Sequence, residues 1–577
     1  MASAMLPYDQ DYYTEDKSQT NGFQKSLKRA IEDSQKHLLS LQFPEGYWWG
    51  ELEANVTFTA ETVLLYKILG IAEQYPFHKA ENFVRTTQSA DGGWEICHGG
   101  GGCLNCTIES YIALRLLNVP KTDRALQKAR LFILSKGGIA ESSILPSFPP
   151  WLMLLPTWFP FNIYRTSSWA RATLVPQIPI AEKKLVTRWL LARVEETGDF
   201  SAIYPAMFYC ILYMNKVMGL DVADPILSKL LLALKRFFVE TKDELVVQIT
   251  LSPVWETAFI VRPPSPVEGW EWLLQKQVSL EGDWVYNVPS AFGGGGWAFQ
   301  FCNRWYPDVD DTACVVMALN SVTLRERRRN STPGGCGAYD KDNDKEWLNS
   351  TPVGDMKALI DLNTVDVTAR VVEMVGRLKT ECSTASLCKF IDAYMPPESV
   401  YRAFTHLKCE QEEDGCWFGR WGVNYIYGTA GALIALALTS PRGSYDAEIR
   451  RGAKWLVQMQ NKPGRMTCST YVDPKLRGWC QASTASQTAW ALEGLLAAGD
   501  ALGEYEEDAI HLGVRFLLST QRGDSSSHDA YFTGTGFADH VYLRYHMYAQ
   551  HFSLSALSWY RRRVQNGKIR KSSWLKM

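Results

Sequence analysis

The sequence predicts an all-α protein whose helices are tied together by a short repeated motif. Apolar residues recur at helical spacing through most of the chain, so that Leu27, Ile31 and Leu38, for example, fall near one face of a predicted helix. Alternation of apolar and polar residues, the pattern of a half-buried strand, is almost absent. A Gln, a Gly and a Trp recur together, and such a repeat carries more weight than any single element.

The predicted helices are spread along the whole chain, and Gly or Pro stands at many of their ends. The segments with the clearest helical periodicity are 23–41, 58–71, 107–117, 311–319, 429–438 and 486–498.

In each copy of the repeat, a Gln closes an apolar helical stretch, a Gly turns the chain and a Trp can cover the next helix. We expect the Gln amide to face the Trp indole, a structural tie between neighbouring helices that suits concentric rings. Three copies share one spacing, a fourth is longer by one residue, and a fifth has Met466 in place of Trp. They are Gln42-x3-Gly46-x-Trp48, Gln88-x3-Gly92-x-Trp94, Gln411-x3-Gly415-x-Trp417, Gln277-x4-Gly282-x-Trp284 and Gln460-x3-Gly464.

Length, charge and composition limit the possible functions. A chain of 577 residues is too long for one ordinary core and indicates two or more domains. Lys and Arg number 60 against 62 Asp and Glu, which gives a net charge of −2. This charge balance provides no positive electrostatic field that would attract nucleic acid. Aromatic residues make up 12% of the chain and include 21 Trp, which indicates either extensive core packing or a cavity that presents π-faces to a cationic or greasy ligand.

The cysteines indicate a reduced, intracellular protein without a structural metal. There are 13, an odd number, and they are scattered without a secreted-domain framework. Cys97, His98, Cys103 and Cys106 include a CxxC, but no second CxxC follows at a standard spacing and the loop is Gly-rich, so loop thiols are favoured over a zinc site. The acidic first residues lack the apolar core of a signal peptide.

No uninterrupted apolar run reaches the roughly 18 residues that a spanning helix needs. The nearest, residues 144–164, is uncharged but contains five prolines, which prevent a regular helix. Two interpretations of this segment stay open: a buried core loop, or a greasy surface that dips into one leaflet of a membrane.

The sharpest chemical signal is a group of three carboxylates, Asp308, Asp310 and Asp311, directly before an apolar helix. One Asp at a helix N-terminus is an ordinary cap. Three in four positions repel one another, so one keeps its proton to higher pH. A protonated carboxylic acid in a dry pocket can protonate an alkene.

The segment Asp308–Ala313 resembles the signature of squalene–hopene cyclases, and the resemblance runs from about residue 35 to about residue 561. The Gln–Gly–Trp repeats are typical of that family too. The other matching blocks are Ser252–Trp255, Gly296–Phe301, Gly337–Asp340, Trp417–Tyr425, Ser486–Trp490 and Tyr531–Phe537.

The resemblance implies a fold and a reaction. The fold is two α/α-barrel (toroid) domains, residues 38–251 and 252–577, that enclose a large apolar cavity, with residues 1–37 packed on the second domain. The reaction is that of a class II terpene cyclase, an isomerase (intramolecular transferase) that polycyclises squalene or a similar linear isoprenoid, with hydro-lyase activity as a second outcome. The resemblance implies no cofactor, and it implies contact with a membrane surface.

The resemblance also assigns residues. It makes Asp310 the proton donor, with Asp308 and Asp311 as its partners. It places aromatic rings along the cavity, facing successive cations, at Trp169, Trp255, Phe299, Tyr339, Trp421, Phe537, Tyr545 and Tyr548. Glu61 and Glu109 match polar positions at the far end of the cavity, where an ordered water helps to quench the last cation, and Tyr204 replaces a Gln that holds this water.

The sequence departs from the family at several points. Arg370 stands where bacterial members have a His that hydrogen-bonds the acid, and a fixed cation there strengthens the acid but also favours its ionised form. The stretches 143–162 and 172–203 are short for the family, and the second ordinarily includes a membrane-embedded helix. Val353, Met356 and Val541 stand where the bacterial enzymes have Phe, which predicts incomplete cyclisation or a different polyene.

Three alternatives stay open. An oxidosqualene cyclase would use the same fold and acid, but an epoxide needs a weaker acid. A non-catalytic isoprenoid-binding descendant would keep the barrels with a disabled acid or channel. A prenyltransferase-like barrel would need a zinc site that the sequence does not show. The sequence leaves a homodimer open.

Overall fold

The structure is a computed structural model dominated by helices. The residues that it describes are 17–138, 162–177, 183–261, 267–279, 282–286, 294–320, 336–339, 343, 345–350, 359–381, 389, 391–392, 395–461, 465–466, 483–522, 527, 529–537 and 541–570. The prediction of an all-α fold is confirmed, and the six predicted helical segments each fall on an observed helix.

In the first half of the chain the helices are α1 (Lys17–Ser40), α2 (Thr57–Leu69), α3 (Phe77–Thr86), α4 (Leu104–Leu116), α5 (Arg124–Ser135), α6 (Ser168–Leu174), α7 (Lys183–Arg193), α8 (Tyr204–Leu212) and α9 (Pro225–Lys235). Helix α2 packs on α4 and α8, and α8 packs on α6, while α3, α5 and α9 pack on the outside of α2, α4 and α8. A π-helical turn, Tyr213–Val217, continues α8.

In the second half the helices are α10 (Pro253–Ile260), α11 (Val267–Gln275), α12 (Val309–Asn320), α13 (Val365–Glu381), α14 (Pro397–Cys409), α15 (Tyr425–Thr439), α16 (Asp446–Gln458), α17 (Ala485–Leu502), α18 (Glu507–Thr520) and α19 (Tyr548–Gln565). The strands are short: β1 (Leu52–Glu53), β2 (Trp94–Glu95), β3 (Gly102–Cys103), β4 (Phe238–Glu240), β5 (Leu245–Val247), β6 (Gln460–Asn461), β7 (Arg465–Met466), β8 (Gly534–Phe537) and β9 (Val541–Tyr545).

Six helices form an inner ring in the second half of the chain. Helices α10, α12, α13, α15, α17 and α19 each pack on the next. The ring closes where the indole nitrogen of Trp255 in α10 donates to the hydroxyl of Tyr548 in α19 at 2.9 Å. Helix α17 is buried at every position from Ala485 to Gly499, as expected for a helix covered on all sides. This is the arrangement of an α/α-barrel.

The first helix completes the outer layer of this barrel. Helix α1 packs on α18 and α19. The side-chain amide of Gln521, just after α18, donates to the carbonyl of Ala30 at 3.1 Å and to the hydroxyl of Ser34 at 2.9 Å. The N-terminal helix therefore lies against the C-terminal part of the chain. Strand β1 also pairs with β9, with Leu52 opposite Tyr545.

The Gln–Gly–Trp repeats tie helices together through backbone carbonyls. The indole nitrogens of Trp48, Trp94 and Trp417 each donate at 2.6 Å to a carbonyl ten residues earlier, in the preceding helix. The Gln amides donate to the carbonyl of the repeat's own Gly, and those of Gln88 and Gln411 also reach a carbonyl of the next outer helix. The hydrogen bonds of both the amide and the indole therefore run to main-chain carbonyls.

The turn of each repeat requires glycine. Gly92 has φ +92, a left-handed conformation, and a Cβ there would lie 2.9 Å from the carbonyl oxygen of Lys128 in α5. A larger residue would be strained and would also push the outer helix away.

The fourth repeat differs from the prediction. Its Trp is Trp297, not Trp284: the indole of Trp297 donates to the carbonyl of Leu273 at 2.6 Å, and the amide of Gln277 donates to Gly295 at 2.8 Å. Leu273 stands four residues before Gln277, as Leu38 stands before Gln42. In this copy an insertion separates Gln277 from the glycine of its repeat, Gly295. Gly282 and Trp284 lie within that insertion and match the motif in spacing alone.

A buried polar cluster joins the two halves of the chain. The carboxylate of Asp283 accepts hydrogen bonds from Arg193 at 3.2 Å and from the hydroxyl of Tyr306 at 2.9 Å, and it pairs with Arg171 at 3.2 Å. Glu195 accepts from the backbone and the guanidinium of Arg304 at 2.8 and 2.7 Å. Buried charges are tolerated when they are paired in this way.

Within the residues described, no helix is both long and apolar enough to cross a membrane.

Candidate active site

The three carboxylates stand at the start of α12, in the inner ring. Oδ1 of Asp308 accepts the backbone N–H of Asp311 at 2.7 Å and so caps the helix. The backbone N–H of Asp308 donates to the carbonyl of Trp297 at 2.9 Å, and the hydroxyl of Thr312 accepts the N–H of Trp297 at 3.0 Å. The shifted repeat at Trp297 therefore fixes the start of the helix that carries the acid motif.

The carboxyl groups are buried and hold their protons to an unusually high pH. Burial raises the pKa of Asp310 to about 7; the charges of Asp366 and Asp308 act in the same direction, and that of Arg370 acts against them. Burial also raises the pKa of Asp308 to about 7. The pKa of Asp311 lies well above its usual range, because of burial and then of the charge of Asp308 and a hydrogen bond to it. All three carboxyl groups therefore favour the protonated form more strongly than an exposed Asp does.

Arg370, in α13, lies beside the predicted proton donor. Its Nε donates to Oδ1 of Asp310 at 3.3 Å, its Nη1 to Glu373 at 3.2 Å and its Nη2 to the hydroxyl of Tyr427 at 3.0 Å. The guanidinium carbon lies 5.2 Å from the centre of the Phe259 ring. The cation is therefore held by three inner helices, and it does not point away from the acid.

Two further carboxylates, at positions 361 and 366, organise the backbone around the acid. Asp361 accepts the backbone N–H groups of Ala338 and Tyr339 at 3.2 and 2.5 Å. Asp366 accepts those of Arg420 and Trp421 at 2.8 and 2.7 Å. Two predicted cavity residues, Tyr339 and Trp421, are thereby fixed relative to the acid motif.

A first aromatic group contains four of the predicted cavity residues. The rings of Tyr545 and Tyr548 stack at 4.0 Å, and the Phe299 ring lies 6.4 Å from Tyr545 and 6.3 Å from Trp255. Burial raises the pKa of Tyr545, and the charges of Asp310 and Asp311 contribute to the rise. This group therefore adjoins the acid motif, where the first cation would form.

A second aromatic group contains Trp169, Tyr339 and Trp421. The Trp169 ring lies 5.5 Å from Tyr339 and 6.0 Å from Trp421, in edge-to-face geometry. The guanidinium carbon of Arg420 lies 5.0 Å from the Trp169 ring and 4.8 Å from a ring of Trp421. Sequence reasoning did not identify Arg420, which orders both indoles.

The acidic residues predicted for the far end of the cavity also lie close together. Burial raises the pKa of Glu61 to about 8, and the charge of Glu109 adds to the rise. Burial also raises the pKa of Glu109. The hydroxyl of Tyr204 accepts a hydrogen bond from Thr62, next to Glu61, at 2.9 Å, and its ring contacts Phe58 at 5.3 Å. Both carboxyl groups therefore favour the neutral, protonated form.

Some predicted residues lie outside the described part of the structure. The side chain of Phe537 lies outside the description, although its backbone is in β8. Val353, Met356 and residues 144–161 also lie outside the described residues. Val541 is buried at the start of β9, where the hydroxyl of Thr535 donates to its carbonyl at 3.0 Å.

Sequence reasoning missed Tyr427 and Glu373, although a signal for each exists. Glu373 follows Arg370 by three residues on one helix, a spacing that brings two side chains together. In several inner helices a Thr near the N-terminus accepts a backbone N–H from outside the helix, as Thr312, Thr368 and Thr429 do. The residues two positions before these three are Asp310, Asp366 and Tyr427. Aligning the inner helices on this Thr would have selected Tyr427.

A metal site has little support in the described part of the chain. The group there whose ligand atoms could share an ion is Glu412, Asp414 and Cys416. Asp414 already accepts hydrogen bonds from the backbone of Cys416 at 3.3 Å and from the indole of Trp455 at 3.2 Å, within a Gln–Gly–Trp turn. These contacts explain the cluster structurally.

Comparison with known families matches nearly the whole chain. The family model described as the squalene-hopene cyclase C-terminal domain matches residues 250–562. That of the squalene-hopene cyclase N-terminal domain matches in two pieces, residues 31–188 and 181–243. The two pieces meet inside the stretch 172–203 that the sequence analysis identified as short.

Two relatives and one solved structure extend this result. Dammaradiene synthase of Dryopteris crassirhizoma is 46% identical over 688 aligned positions, which cover 98% of this chain and 99% of that protein. Squalene–hopene cyclase of Alicyclobacillus acidocaldarius is 34% identical, covering 94% and 98%. The structure of ent-copalyl diphosphate synthase from Streptomyces platensis is 16% identical, has a TM-score of 0.53 and covers 94% of this chain and 99% of its own, which supports the fold alone.

Proposed function

Because this chain belongs to the squalene–hopene cyclase family, we propose that its substrate is squalene and that Asp310 starts the reaction by protonating a terminal double bond. The chain is a class II terpene cyclase, an isomerase that polycyclises a linear, hydrophobic isoprenoid. The observation that carries the assignment to Asp310 is a carboxyl group with a pKa raised to about 7, buried beside Arg370 and the aromatic group around Tyr545.

The first step uses a proton that the buried site retains. The O–H bond of Asp310 breaks, its proton forms a C–H bond with the alkene carbon, and the alkene π-electrons are used in that bond. A tertiary carbocation forms on the neighbouring carbon, and the next double bond attacks it to close a ring. The Asp310 carboxylate left behind is stabilised by Arg370, whose Nε lies 3.3 Å from it.

The aromatic residues stabilise the cations that follow. Trp255, Phe299 and Tyr545 present rings near the acid, and a desolvated cation–π contact contributes about 2 kcal/mol. Trp169, Tyr339 and Trp421 form the second group. The charges of Asp308 and Asp311 add to the rise in the pKa of Tyr339 that burial causes, so this group also lies near the acid motif and suits the cations of the first rings. Each ring closure consumes one double bond, so no cofactor or external electron donor is needed.

We propose that the cascade ends before full cyclisation, with loss of a proton. Val541 stands where bacterial enzymes have an aromatic ring, and one relative is named a dammaradiene synthase. If the product is a diene isomer of squalene, four of the six double bonds have been converted into rings. Glu61, Glu109 and the hydroxyl of Tyr204 supply buried hydrogen-bonding oxygens that can accept the last proton directly or through a water molecule.

Squalene is favoured over oxidosqualene by the environment of the acid. An epoxide is opened by a weaker acid than an alkene, and Arg370 opposes the rise in the pKa of Asp310, so Asp310 is a stronger acid than burial alone would leave it. The experiment is incubation of the purified chain in detergent with squalene, oxidosqualene or a shorter linear polyene, followed by mass spectrometry of the extract. We expect a product of unchanged mass from squalene; preferential conversion of either other compound would contradict this substrate.

We further propose that the enzyme works at a membrane surface inside the cell, because its substrate is insoluble in water. Helix α5 exposes Leu131 and Leu134 by 65% and 56% shortly before the uncharged segment 144–164. Such a surface suits contact with one leaflet. The protein should sediment with membranes and be released by detergent but not by high salt; full solubility without detergent would contradict the proposal.

A further inference from the structure

The guanidinium of Arg370 has two carboxyl neighbours that lie on different inner helices. Asp310 in α12 accepts from Nε at 3.3 Å, and Glu373, one turn further along α13, accepts from Nη1 at 3.2 Å. The Glu373 side chain is 5% exposed and that of Arg370 is 13% exposed. Glu373 also accepts from Nε of Arg377 at 2.8 Å. A continuous row therefore runs from Asp310 through Arg370 and Glu373 to Arg377.

Arg370 is largely buried and needs a counter-charge in the resting enzyme. A proton donor is neutral before it reacts, so a protonated Asp310 gives Arg370 no counter-charge. A buried cation without a counter-charge is strongly destabilising. Glu373 supplies a negative charge on the same helix, and the two guanidinium groups that it contacts favour its charged form.

We propose that Glu373 is a positioning residue for the proton donor: it neutralises Arg370 in the resting enzyme, so that Asp310 can stay protonated beside a fixed cation. This inference rests on the proposed role of Asp310. When Asp310 gives up its proton, Arg370 already lies within hydrogen-bonding distance of the new carboxylate. Arg370 can therefore stabilise the Asp310 carboxylate once it forms, without removing the proton from Asp310 before the reaction.

Other charged groups around Asp310 do not replace Glu373. Asp366, on α13, accepts three backbone N–H groups at Val367, Arg420 and Trp421. Asp308 and Asp311, on α12, interact with each other. Tyr427 on α15, Tyr545 in β9 and Cys336 are neutral groups whose pKa is raised by burial and by the charge of Asp310. Beyond Glu373, Arg377 lies near Arg562 of α19.

Without the charge of Glu373, Asp310 would be the remaining carboxyl group that accepts a hydrogen bond from Arg370. Opposite charge favours the ionised carboxylate, so the pKa of Asp310 should fall. A smaller fraction of Asp310 would then be protonated at neutral pH. Protonation, and with it activity, would be recovered only at lower pH.

The test compares the full chain with its Glu373→Gln variant. Asp310 is titrated without substrate by infrared spectroscopy of its carboxylic acid band. This band is identified by its loss in Asp310→Asn. We expect the midpoint to move down by about one pH unit, and the alkaline limb of the rate profile with squalene to move with it. Glu195→Gln, which disturbs a buried ion pair with Arg304 far along the chain, is the matched control and should not move the midpoint.

A second comparison excludes a merely structural effect. In an Arg370→His background above pH 7, where the fixed cation is gone, Glu373→Gln should no longer lower the Asp310 midpoint. An unchanged midpoint in Glu373→Gln alone, or an equal shift in both backgrounds, would overturn the inference. Because the titration needs no turnover, an enzyme that fails to convert squalene would contradict the proposed function and leave this measurement intact.

Discussion

Arg370 donates a hydrogen bond from Nε to Oδ1 of Asp310 at 3.3 Å, and its charge opposes the rise in the pKa of that carboxyl group that burial causes. Asp310 must be protonated to act as an acid, and its pKa is about 7. The rate should therefore be highest below pH 7 and fall as the pH rises through that value. A rate that stays flat from pH 5 to 7.5 would contradict this prediction.

Replacing Arg370 by His should move this pH dependence upwards. The charge of Arg370 lowers the pKa of Asp310, and a His that is neutral above pH 7 would remove most of that effect. We expect the alkaline limb to move up by about one pH unit, which corresponds to up to about tenfold more activity at pH 8. The unfolding temperatures of both proteins would show whether a change in activity results from a loss of stability.

Tyr204 should control whether the last cation loses a proton or captures water. Its ring is fully buried, and its hydroxyl accepts a hydrogen bond from Thr62 at 2.9 Å. Tyr204→Gln makes the side chain smaller and provides a donor and an acceptor for a water molecule. We expect a larger share of hydroxylated product, measured by mass spectrometry. Tyr204→Phe, the control, should give no such rise, and equal alcohol from all three proteins would refute the role.

Val541 should limit the number of rings. Restoring a ring face with Val541→Phe would add a cation–π contact of roughly 0.5–2 kcal/mol, enough to change the partition between ring closure and proton loss by up to about tenfold or more. The product mixture should move towards more rings. Val541→Leu adds volume without a π-face and should leave the mixture unchanged; the same shift in both variants would show that volume matters and not the ring.

The two tryptophans of the fourth repeat should differ in their contribution to stability. Trp297→Phe removes the hydrogen bond of 2.6 Å to the carbonyl of Leu273 and leaves that carbonyl with the longer hydrogen bond from the N–H of Lys276 at 3.1 Å, at a cost of about 1 kcal/mol in addition to the lost contact area. The indole nitrogen of Trp284 has no hydrogen-bond partner within the described residues, so Trp284→Phe should cost roughly 1 kcal/mol or less, from lost contact area. Chemical denaturation of both variants distinguishes them, and equal losses would contradict the reassignment.

The helices could be predicted from the sequence because their signal is local. Periodicity identified the segment 311–319 within α12, Val309–Asn320, and the segment 486–498 within α17, Ala485–Leu502. The carboxylates at the start of α12 were predicted for the same reason, since repulsion among close neighbours can be inferred without knowing the fold.

Contacts between distant parts of the chain could not be predicted in this way. Tyr427 reaches Arg370 because α13 and α15 are neighbours in the inner ring, and nothing in the spacing of residues gives that order. Trp297 was missed because an insertion separates it from Gln277, while a nearer Gly and Trp imitate the motif. In that copy the hydrogen bonds, and not the sequence spacing, define the repeat.

The most direct test of the central claim is to run the reaction with squalene in D2O. The proton of Asp310 exchanges with solvent between turnovers, so the first C–H bond of each product molecule should contain solvent deuterium. We predict a cyclic hydrocarbon one mass unit heavier than squalene, with the deuterium on the first ring, and no product from Asp310→Asn, a loss of at least about a thousandfold. Product without solvent deuterium, or the same product from Asp310→Asn, would contradict protonation by Asp310.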